Sequence, residues 1–133
     1  MARRLILDTN VLIDYERGAL DRAALDDDEL AIAAITIAEY RTGIELADSV
    51  ERAASRSRAL VAITEAIEVL DYTEITAAHH ARLIAHSRRT GRSRGAHDLV
   101  VAAHAAQTGR VLLSRDSAAR FGDLPGVVAE DPA

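Results

Sequence analysis

The stretch Leu5-Ile6-Leu7-Asp8-Thr9-Asn10-Val11-Leu12-Ile13-Asp14-Tyr15 changes character twice along its length. It begins with an apolar run that is too short for a helix and follows two arginines, as expected for a buried parallel strand. A polar turn of three residues comes next, and apolar residues at helical spacing then continue until Gly18. A strand, a turn and a helix form the first half of a βαβ unit, in which ligands bind outside the carboxyl ends of the strands. Asp8 therefore lies at a position where a functional residue is expected.

The polar turn also has a purely structural interpretation. Aspartate, threonine and asparagine are all favourable at helix N-termini, so Asp8, Thr9 and Asn10 would suit a simple cap. On these residues alone both interpretations stay open, and the other acidic residues of the chain have to distinguish them.

Short apolar runs recur along the chain and alternate with helical patterns. The further predicted strands are Leu30–Ile35, Ile67–Leu70, Val111–Leu113 and an edge strand at Val127–Val128. Helices are predicted over residues 37–47, 50–66, 77–89 (capped by Thr76) and 96–107 (stopped by Gly109). This alternation is typical of an α/β fold. We predict a single domain over residues 1–133, with a central, mostly parallel sheet of four to five strands flanked by helices and a frayed end at Glu130–Ala133.

The composition excludes several classes of protein. The chain has 133 residues and neither cysteine nor lysine, which argues against disulfides, P-loop nucleotide binding and Schiff-base chemistry. No apolar run approaches the roughly 18 residues of a membrane-spanning helix, and no signal peptide precedes Asp8, so we expect a soluble cytoplasmic protein. The formal net charge of -5 argues mildly against a nucleic-acid partner, because such partners usually select basic proteins.

Three further acidic residues, Glu39, Asp98 and Asp116, follow predicted strands or open predicted helices. Each has a structural alternative. Thr36 and Glu39 have the spacing of a capping box. The helix dipole would stabilise an acid at position 98, and an acid at position 116 would cap a short helix. Together with Asp8, however, these acids all fall on the carboxyl rim of the predicted sheet, which in a doubly wound fold is one cleft.

Several carboxylates in one cleft repel one another unless a cation neutralises them. A ligand set of oxygens alone favours Mg²⁺, with Mn²⁺ as a substitute, and neither His97 nor His104 matches a metal-binding spacing. Such an ion suits the hydrolysis of a phosphodiester, because it lowers the pKa of a bound water and neutralises charge on the phosphate. The acids therefore predict a metal-dependent phosphodiesterase site.

One basic cluster interrupts the acidic chain just before Asp98. It contains Arg88, Arg89, Arg92 and Arg94. A run of charges is usually a solvated face, but a cluster leading directly into a candidate acid would also suit the binding of phosphates that flank the scissile bond. Thr9 and Asn10 are candidates for orienting ligands or the scissile phosphate.

The chain resembles the PIN domain, and specifically the small VapC toxins of type II toxin–antitoxin pairs. Four segments carry the resemblance in order along the chain: Ile6-Leu7-Asp8-Thr9-Asn10-Val11-Leu12, Thr36-Ile37-Ala38-Glu39-Tyr40, His97-Asp98-Leu99-Val100-Val101-Ala102-Ala103, and Leu112-Leu113-Ser114-Arg115-Asp116 with Phe121 and Leu124-Pro125-Gly126-Val127. Family members often carry one more acid after the last segment, where this chain has Ser117, Ala118 and Ala119.

The resemblance implies a Mg²⁺-dependent endoribonuclease that hydrolyses RNA phosphodiester bonds. Asp8, Asp98 and Asp116 would be metal ligands, with Asp8 and Asp98 the main ones, and Glu39 would complete the catalytic site. It further implies a homodimer and a cognate antitoxin that wraps the toxin and blocks the cleft. The absent fifth acid implies that a second metal ion would lack a ligand.

Two alternatives are retained. A PIN-like interaction module would keep the fold and bind a partner without cutting RNA. A phosphatase with an aspartyl nucleophile would need a second aspartate where Asn10 stands, and it would need a catalytic lysine, which the sequence lacks.

Overall fold

The computed structural model describes residues 2–132 and contains the parallel sheet that the sequence predicted. Five strands form this sheet: β1 (Arg4–Leu7), β2 (Glu29–Ala33), β3 (Glu68–Leu70), β4 (Val111–Leu113) and β5 (Ala129–Glu130). Their order is β3-β2-β1-β4-β5, and every neighbouring pair is parallel. The strand order reverses direction at β1, so the crevice between the ends of β1 and β4 is where such sheets bind ligands.

Five helices cover the sheet: α1 (Thr9–Arg17), α2 (Ala34–Glu45), α3 (Val50–Ala66), α4 (Glu74–Thr90) and α5 (Ala96–Thr108). Three short 3₁₀ segments, Arg22–Leu25, Ser117–Ala119 and Phe121–Asp123, complete the described elements. Within residues 2–132 no helix combines the length and apolar character needed to cross a bilayer.

The helices divide between the two faces of the sheet because side chains alternate along each strand. Leu5 and Leu7 of β1 pack on one face with residues from α1, α2 and α3. Ile6 points to the opposite face and packs with residues of α4 and α5, among them Leu83 and Ala102. All three strand residues are fully buried, which explains why this run is continuously apolar rather than alternating.

The second predicted strand is too long by two residues. β2 ends at Ala33, where it still pairs with Leu70 of β3, and Ala34 begins α2. The capping-box alternative for Glu39 is excluded. Ala33 is the N-cap and makes no side-chain cap bond, and Thr36 lies inside the first turn with its side chain fully buried. Glu39 is therefore not part of a helix cap.

The N-cap of α4 lies three residues, about one helical turn, before the predicted Thr76. Thr73 is the N-cap, and it forms a capping box with Thr76, each side chain accepting from the other's backbone N–H. A threonine at each of the two positions made the choice ambiguous from sequence, because either hydroxyl is a good cap.

Glu130 is more ordered than predicted, whereas Ala133 of the predicted frayed segment lies outside the described residues. The last strand is Ala129–Glu130 rather than Val127–Val128, and the Ser114 N–H donates to the Glu130 carbonyl at 3.1 Å. The Glu130 carboxylate also pairs with the Arg3 guanidinium at 3.2 Å, so this residue is tied to the sheet and does not fray.

Candidate active site

Asp8 occupies the end of β1 and is the most enclosed of the four predicted acids. Its side chain is 7% exposed, and its Oδ1 accepts from the backbone N–H of Thr9 at 2.9 Å, so it caps α1 as well. Its Oδ2 accepts from the hydroxyl of Ser114 at 2.8 Å. The structural and functional interpretations of Asp8 are therefore compatible, because a cap uses one oxygen and the other faces β4.

Glu39 reaches the same place from the second turn of α2. Its Oε1 accepts from the hydroxyl of Thr9 at 3.0 Å, which links the acid to the turn after β1. Its Oε2 lies 3.6 Å from Nδ1 of His97, at the start of α5. Contacts with two other elements thus hold this side chain over the carboxyl edge of the sheet.

Asp98 lies in the first turn of α5, as predicted. Among residues 2–132 it is the one predicted acid whose carboxylate has no hydrogen bond from the protein. Gly95, the N-cap of α5, lies close beneath it: a Cβ on Gly95 would lie 3.0 Å from Oδ2 of Asp98. The Asp98 carboxylate therefore fits beside this backbone only because Gly95 has no side chain.

Asp116 follows β4 and caps the 3₁₀ segment that begins at Ser117, its Oδ1 accepting from the Ala119 N–H at 3.2 Å. Its own backbone N–H donates to the hydroxyl of Ser114 at 3.0 Å. Because that hydroxyl also donates to Asp8, Ser114 bridges the first and fourth acids.

The electrostatics show that the four acids form one cluster. Burial raises the pKa of Asp8, hydrogen bonds from Ser114 and Thr9 oppose this, and the charges of Glu39 and Asp116 raise it further. The pKa of Asp98 is also raised, first by burial and then by the charges of Asp8, Asp116 and Glu39, against a smaller opposing effect of His97. Acids up to 108 positions away thus raise the pKa of Asp8 and Asp98, as expected for side chains that meet at one edge of the sheet.

The cluster has the chemistry of a divalent-cation site. Its donors are carboxylate oxygens that repel one another, and a hard cation would relieve the repulsion. Within residues 2–132, however, no three histidine, aspartate or glutamate side chains are close enough together to form a ready-made ligand set.

Among the other predicted site residues, Asn10 contacts the acidic cluster and the arginines have different environments. Asn10 accepts from the Arg115 N–H at 3.2 Å and donates to Asp8 at 3.5 Å, so it joins the turns after β1 and β4. Arg88 and Arg89 are exposed and, within the described part of the chain, have no ion pair. Arg92 pairs with Asp123 at 3.1 Å.

Arg94 has a structural contact that the sequence did not indicate. Its guanidinium donates to the carbonyls of Ala119 and Arg120 and so fastens the start of α5 to the segment after Asp116. Arg120 has a φ of 49°, in the left-handed region. Between residues 2 and 132 it is the one non-glycine residue with a positive φ. That conformation costs an ordinary residue about 1–2 kcal/mol, which the contact from Arg94 helps to offset.

Ser114, Arg115 and Arg120 were not predicted as site residues. The signal for Ser114 was its position between a strand and Asp116, but only the alignment of β4 beside β1 places its hydroxyl on Asp8. Nothing in the local sequence pointed to Arg115, because its side chain pairs with the distant Asp14 and its backbone N–H donates to Asn10. Arg120 pairs locally with Asp123, and only the contact from Arg94 joins it to α5.

The PIN domain family model matches residues 5–125 of this chain. The ribonuclease VapC5 of Mycobacterium tuberculosis (strain ATCC 25618 / H37Rv) is 32% identical over 93% of this chain and 90% of its own length. The chain belongs to the VapC family of PIN-domain proteins. The resemblance seen in the sequence is thereby confirmed, as is the predicted α/β class with its central parallel sheet.

Two other VapC proteins show the same relationship along nearly the whole chain. The tRNA(fMet)-specific endonuclease VapC of Shigella flexneri is 27% identical over 96% of this chain and 97% of its own. A crystal structure of DNA-bound VapBC from Salmonella typhimurium contains a chain that superposes on this VapC-family protein with a TM-score of 0.83, 28% identity and full coverage of both chains.

Proposed function

We propose that this VapC-family protein is an endoribonuclease and the toxin of a toxin–antitoxin pair. The observation that carries the proposal is the cluster of four acids, Asp8, Glu39, Asp98 and Asp116, whose charges act on one another at the carboxyl edge of the sheet. Relatives named as ribonuclease and as tRNA-specific endonuclease, matched along nearly their whole length, support it.

Asp8, Asp98 and Asp116 are the residues that would hold a divalent cation, for which we propose Mg²⁺ with Mn²⁺ as a substitute. The cation would supply charge that activates water and neutralises the phosphate. The protein's own contribution is to orient the acids. Ser114 directs one oxygen of Asp8, and Thr9 directs one oxygen of Glu39, so their carboxylates have defined positions before substrate binds.

Thr9, Asn10 and the arginines complete the proposed site. Thr9 and Asn10 are the first two residues of α1, next to Asp8, where they would contact a scissile phosphate bound to the cluster. Arg88, Arg89, Arg92 and Arg94 lie on the α4–α5 side, where their positive charge would hold the flanking phosphates. Arg88 and Arg89 are the freest to do so, since neither has an ion pair within residues 2–132.

The proposed partners are an antitoxin that blocks the cleft and a second copy of the chain. A related chain occurs in a crystal structure of DNA-bound VapBC, which supports the first. We also propose that residues 1–133 form one domain, because both ends of the described chain join the same sheet: Arg3 pairs with Asp28 at 3.0 Å and with Glu130 at 3.2 Å.

The test is incubation of purified, antitoxin-free protein with total cellular RNA, with Mg²⁺ or Mn²⁺ and with EDTA. Asp98→Asn should abolish discrete cleavage, because it removes one carboxylate while keeping the side-chain shape. Asp27→Ala is the matched control, since Asp27 is an exposed acid outside the cluster. Cleavage that survives Asp98→Asn would contradict the site assignment, and intact RNA with folded wild-type protein would favour the non-catalytic interaction module.

A further inference from the structure

A cavity of about 480 Å³ lies between the second half of α4, the loop 91–95 and the start of α5. Its size falls within the range of small-molecule sites in proteins. The residues that matter for its chemistry are Ile84, Ser87, Arg88, Arg92, Ala96 and Leu99, with Arg94 at its edge. None of them belongs to the acidic cluster.

The wall of the cavity combines apolar surface with positive charge. Ile84, Ala96 and Leu99 supply the apolar part, and three arginines surround it, while none of the described residues that line it is acidic. In a chain of net charge -5 this is a local concentration of the opposite sign. An apolar floor with a cationic rim matches a nucleobase that carries phosphates on both sides.

Two buried polar groups in the lining have no partner among residues 2–132. Ser87 is 7% exposed and its hydroxyl makes no hydrogen bond. Nε of Arg94 is also buried without a hydrogen-bond partner. Buried polar atoms normally have partners. Both atoms are closed to solvent, so they could donate to a ligand only after a side-chain movement, and the assignment of the cavity rests on its apolar and cationic lining.

The cavity adjoins grooves that lead towards the acidic cluster. Arg92 and Arg94 also line an adjoining groove of about 410 Å³ that reaches Arg120. Arg120 in turn lines a smaller cleft that contains Asp116. Ala96 and Leu99 flank Asp98 in the sequence, in the first turn of α5. A strand of nucleic acid lying along these grooves would pass Asp116.

We propose that this cavity is a nucleobase-binding subsite, which accepts one unpaired base of the RNA while Arg88 and Arg92 contact the phosphates beside it. The inference rests on the proposed ribonuclease function and adds a determinant of where the RNA is cut. A single-stranded base next to the scissile phosphate is needed, because a paired base cannot enter a pocket.

The first test measures RNA binding by fluorescence anisotropy, using full-length Asp98→Asn protein so that cleavage does not interfere. The probes are single-stranded RNA homopolymers of about 12 nucleotides and an abasic ribose-phosphate chain of the same length. We expect at least one base-containing probe to bind at least about fivefold more tightly than the abasic chain, because the base buries apolar surface against Ile84, Ala96 and Leu99.

Filling the cavity should remove this preference. Ala96→Trp places a large side chain in it, and Ser93→Trp does the same from the loop if the first variant does not fold. Ala62→Trp, at an exposed alanine of α3, is the matched control and should keep the preference. Binding of the abasic chain should be nearly unchanged in all of them.

A second measurement tests the phosphate contact. Arg88→Ala should lower the slope of log binding constant against log salt by about one ion, whereas Arg58→Ala, an exposed arginine of α3, should not. Equal affinity for base-containing and abasic probes would overturn the subsite while leaving the nuclease intact. Loss of antitoxin association in the filled variants, with RNA binding unchanged, would overturn it in favour of a protein-docking site. Absence of any RNA binding or cleavage would defeat the proposed function itself.

Discussion

Ser114 shows how much one residue contributes to the proposed site. Its hydroxyl donates to Asp8 and accepts from the Asp116 N–H, and the first of these bonds counteracts the effect of burial on the pKa of Asp8. Groups of this kind orient the acids that contact metal and substrate, although they do not touch the reacting atoms themselves.

The first prediction concerns Ser114→Ala. Because the variant removes a bond that lowers the pKa of Asp8, the acidic limb of the pH–rate profile should move to higher pH. RNA cleavage at neutral pH should fall about 10- to 100-fold, the usual effect of losing such an orienting group. The measurement is the cleavage rate against pH, with Ser117→Ala as control. An unshifted profile would contradict the orienting role.

Residue-level patterns identified all four acids but assigned Glu39 ambiguously. Its spacing from Thr36 is that of a capping box, and local sequence cannot distinguish a cap from a site residue. The outcome depended on where α2 begins, since a start at Ala34 puts Thr36 inside the helix and leaves Glu39 to meet Thr9.

At the scale of elements, α5 brings Asp98 to the cluster through its N-terminus. The close approach of Gly95 predicts that Gly95→Ala displaces the Asp98 carboxylate, because the new Cβ would lie 3.0 Å from Oδ2. Cleavage should fall at least tenfold, roughly the effect expected when a catalytic group is misplaced. Gly43→Ala, where a Cβ meets nothing within 4 Å, should keep full activity and gain about 0.5–1 kcal/mol of stability. The two rates and two urea midpoints check this, and full activity of Gly95→Ala would contradict it.

The second element-level prediction concerns the start of α4. Thr73→Ala removes the N-cap bond to the Thr76 N–H and should reduce the free energy of unfolding by about 1 kcal/mol, with an unchanged denaturant slope. Thr64→Ala, within α3 and exposed, should be neutral or slightly stabilising. Urea unfolding distinguishes the two, and equal midpoints would show that Thr73 is not the functional cap.

At the scale of the whole molecule, the acidic cluster links pH, cations and stability. The pKa values of Asp8 and Asp98 are raised in the folded state, so their contribution to stability is complete below the unfolded pKa and is lost as pH rises through the folded pKa. In cation-free buffer, Asp98→Asn should therefore melt at a higher temperature than wild type near neutral pH, and the difference should vanish in acid.

A divalent cation should reverse this order. Mg²⁺ at about 100 times its Kd should stabilise the wild type by about 2.7 kcal/mol and Asp98→Asn much less. The measurement is the melting temperature with Mg²⁺ and with EDTA. Equal stabilisation of both proteins by Mg²⁺ would show that the ion binds elsewhere.

The net charge of the molecule predicts how it associates. A chain of net charge -5 suits a basic antitoxin, and such a complex should weaken as salt rises from about 50 to 200 mM. The Kd of the purified complex, measured across that range, checks this. An affinity indifferent to salt would mean that apolar contacts dominate the interface.

The sequence by itself predicted the order of the strands and helices and singled out the four acids, because apolar periodicity and polar turns are set by near neighbours along the chain. The predicted bounds of β2 and β5 and the predicted cap of α4 were wrong. The sequence placed α3 at residues 50–66 without error, and it put Asp8 and Asp116 at strand ends. Those features need no knowledge of which elements touch.

Only the tertiary structure shows what these acids contact. Thr9 and Glu39 are 30 residues apart, and Ser114 and Asp8 are 106 apart, so their bonds exist because β1 lies between β2 and β4. The same holds for Arg94, which its local charge pattern placed with the phosphate-binding arginines but which also ties α5 to the segment after Asp116. Strand order is a property of the assembled sheet. Spacing along the sequence does not reveal which hydroxyl or carbonyl the strand order brings to each of these side chains.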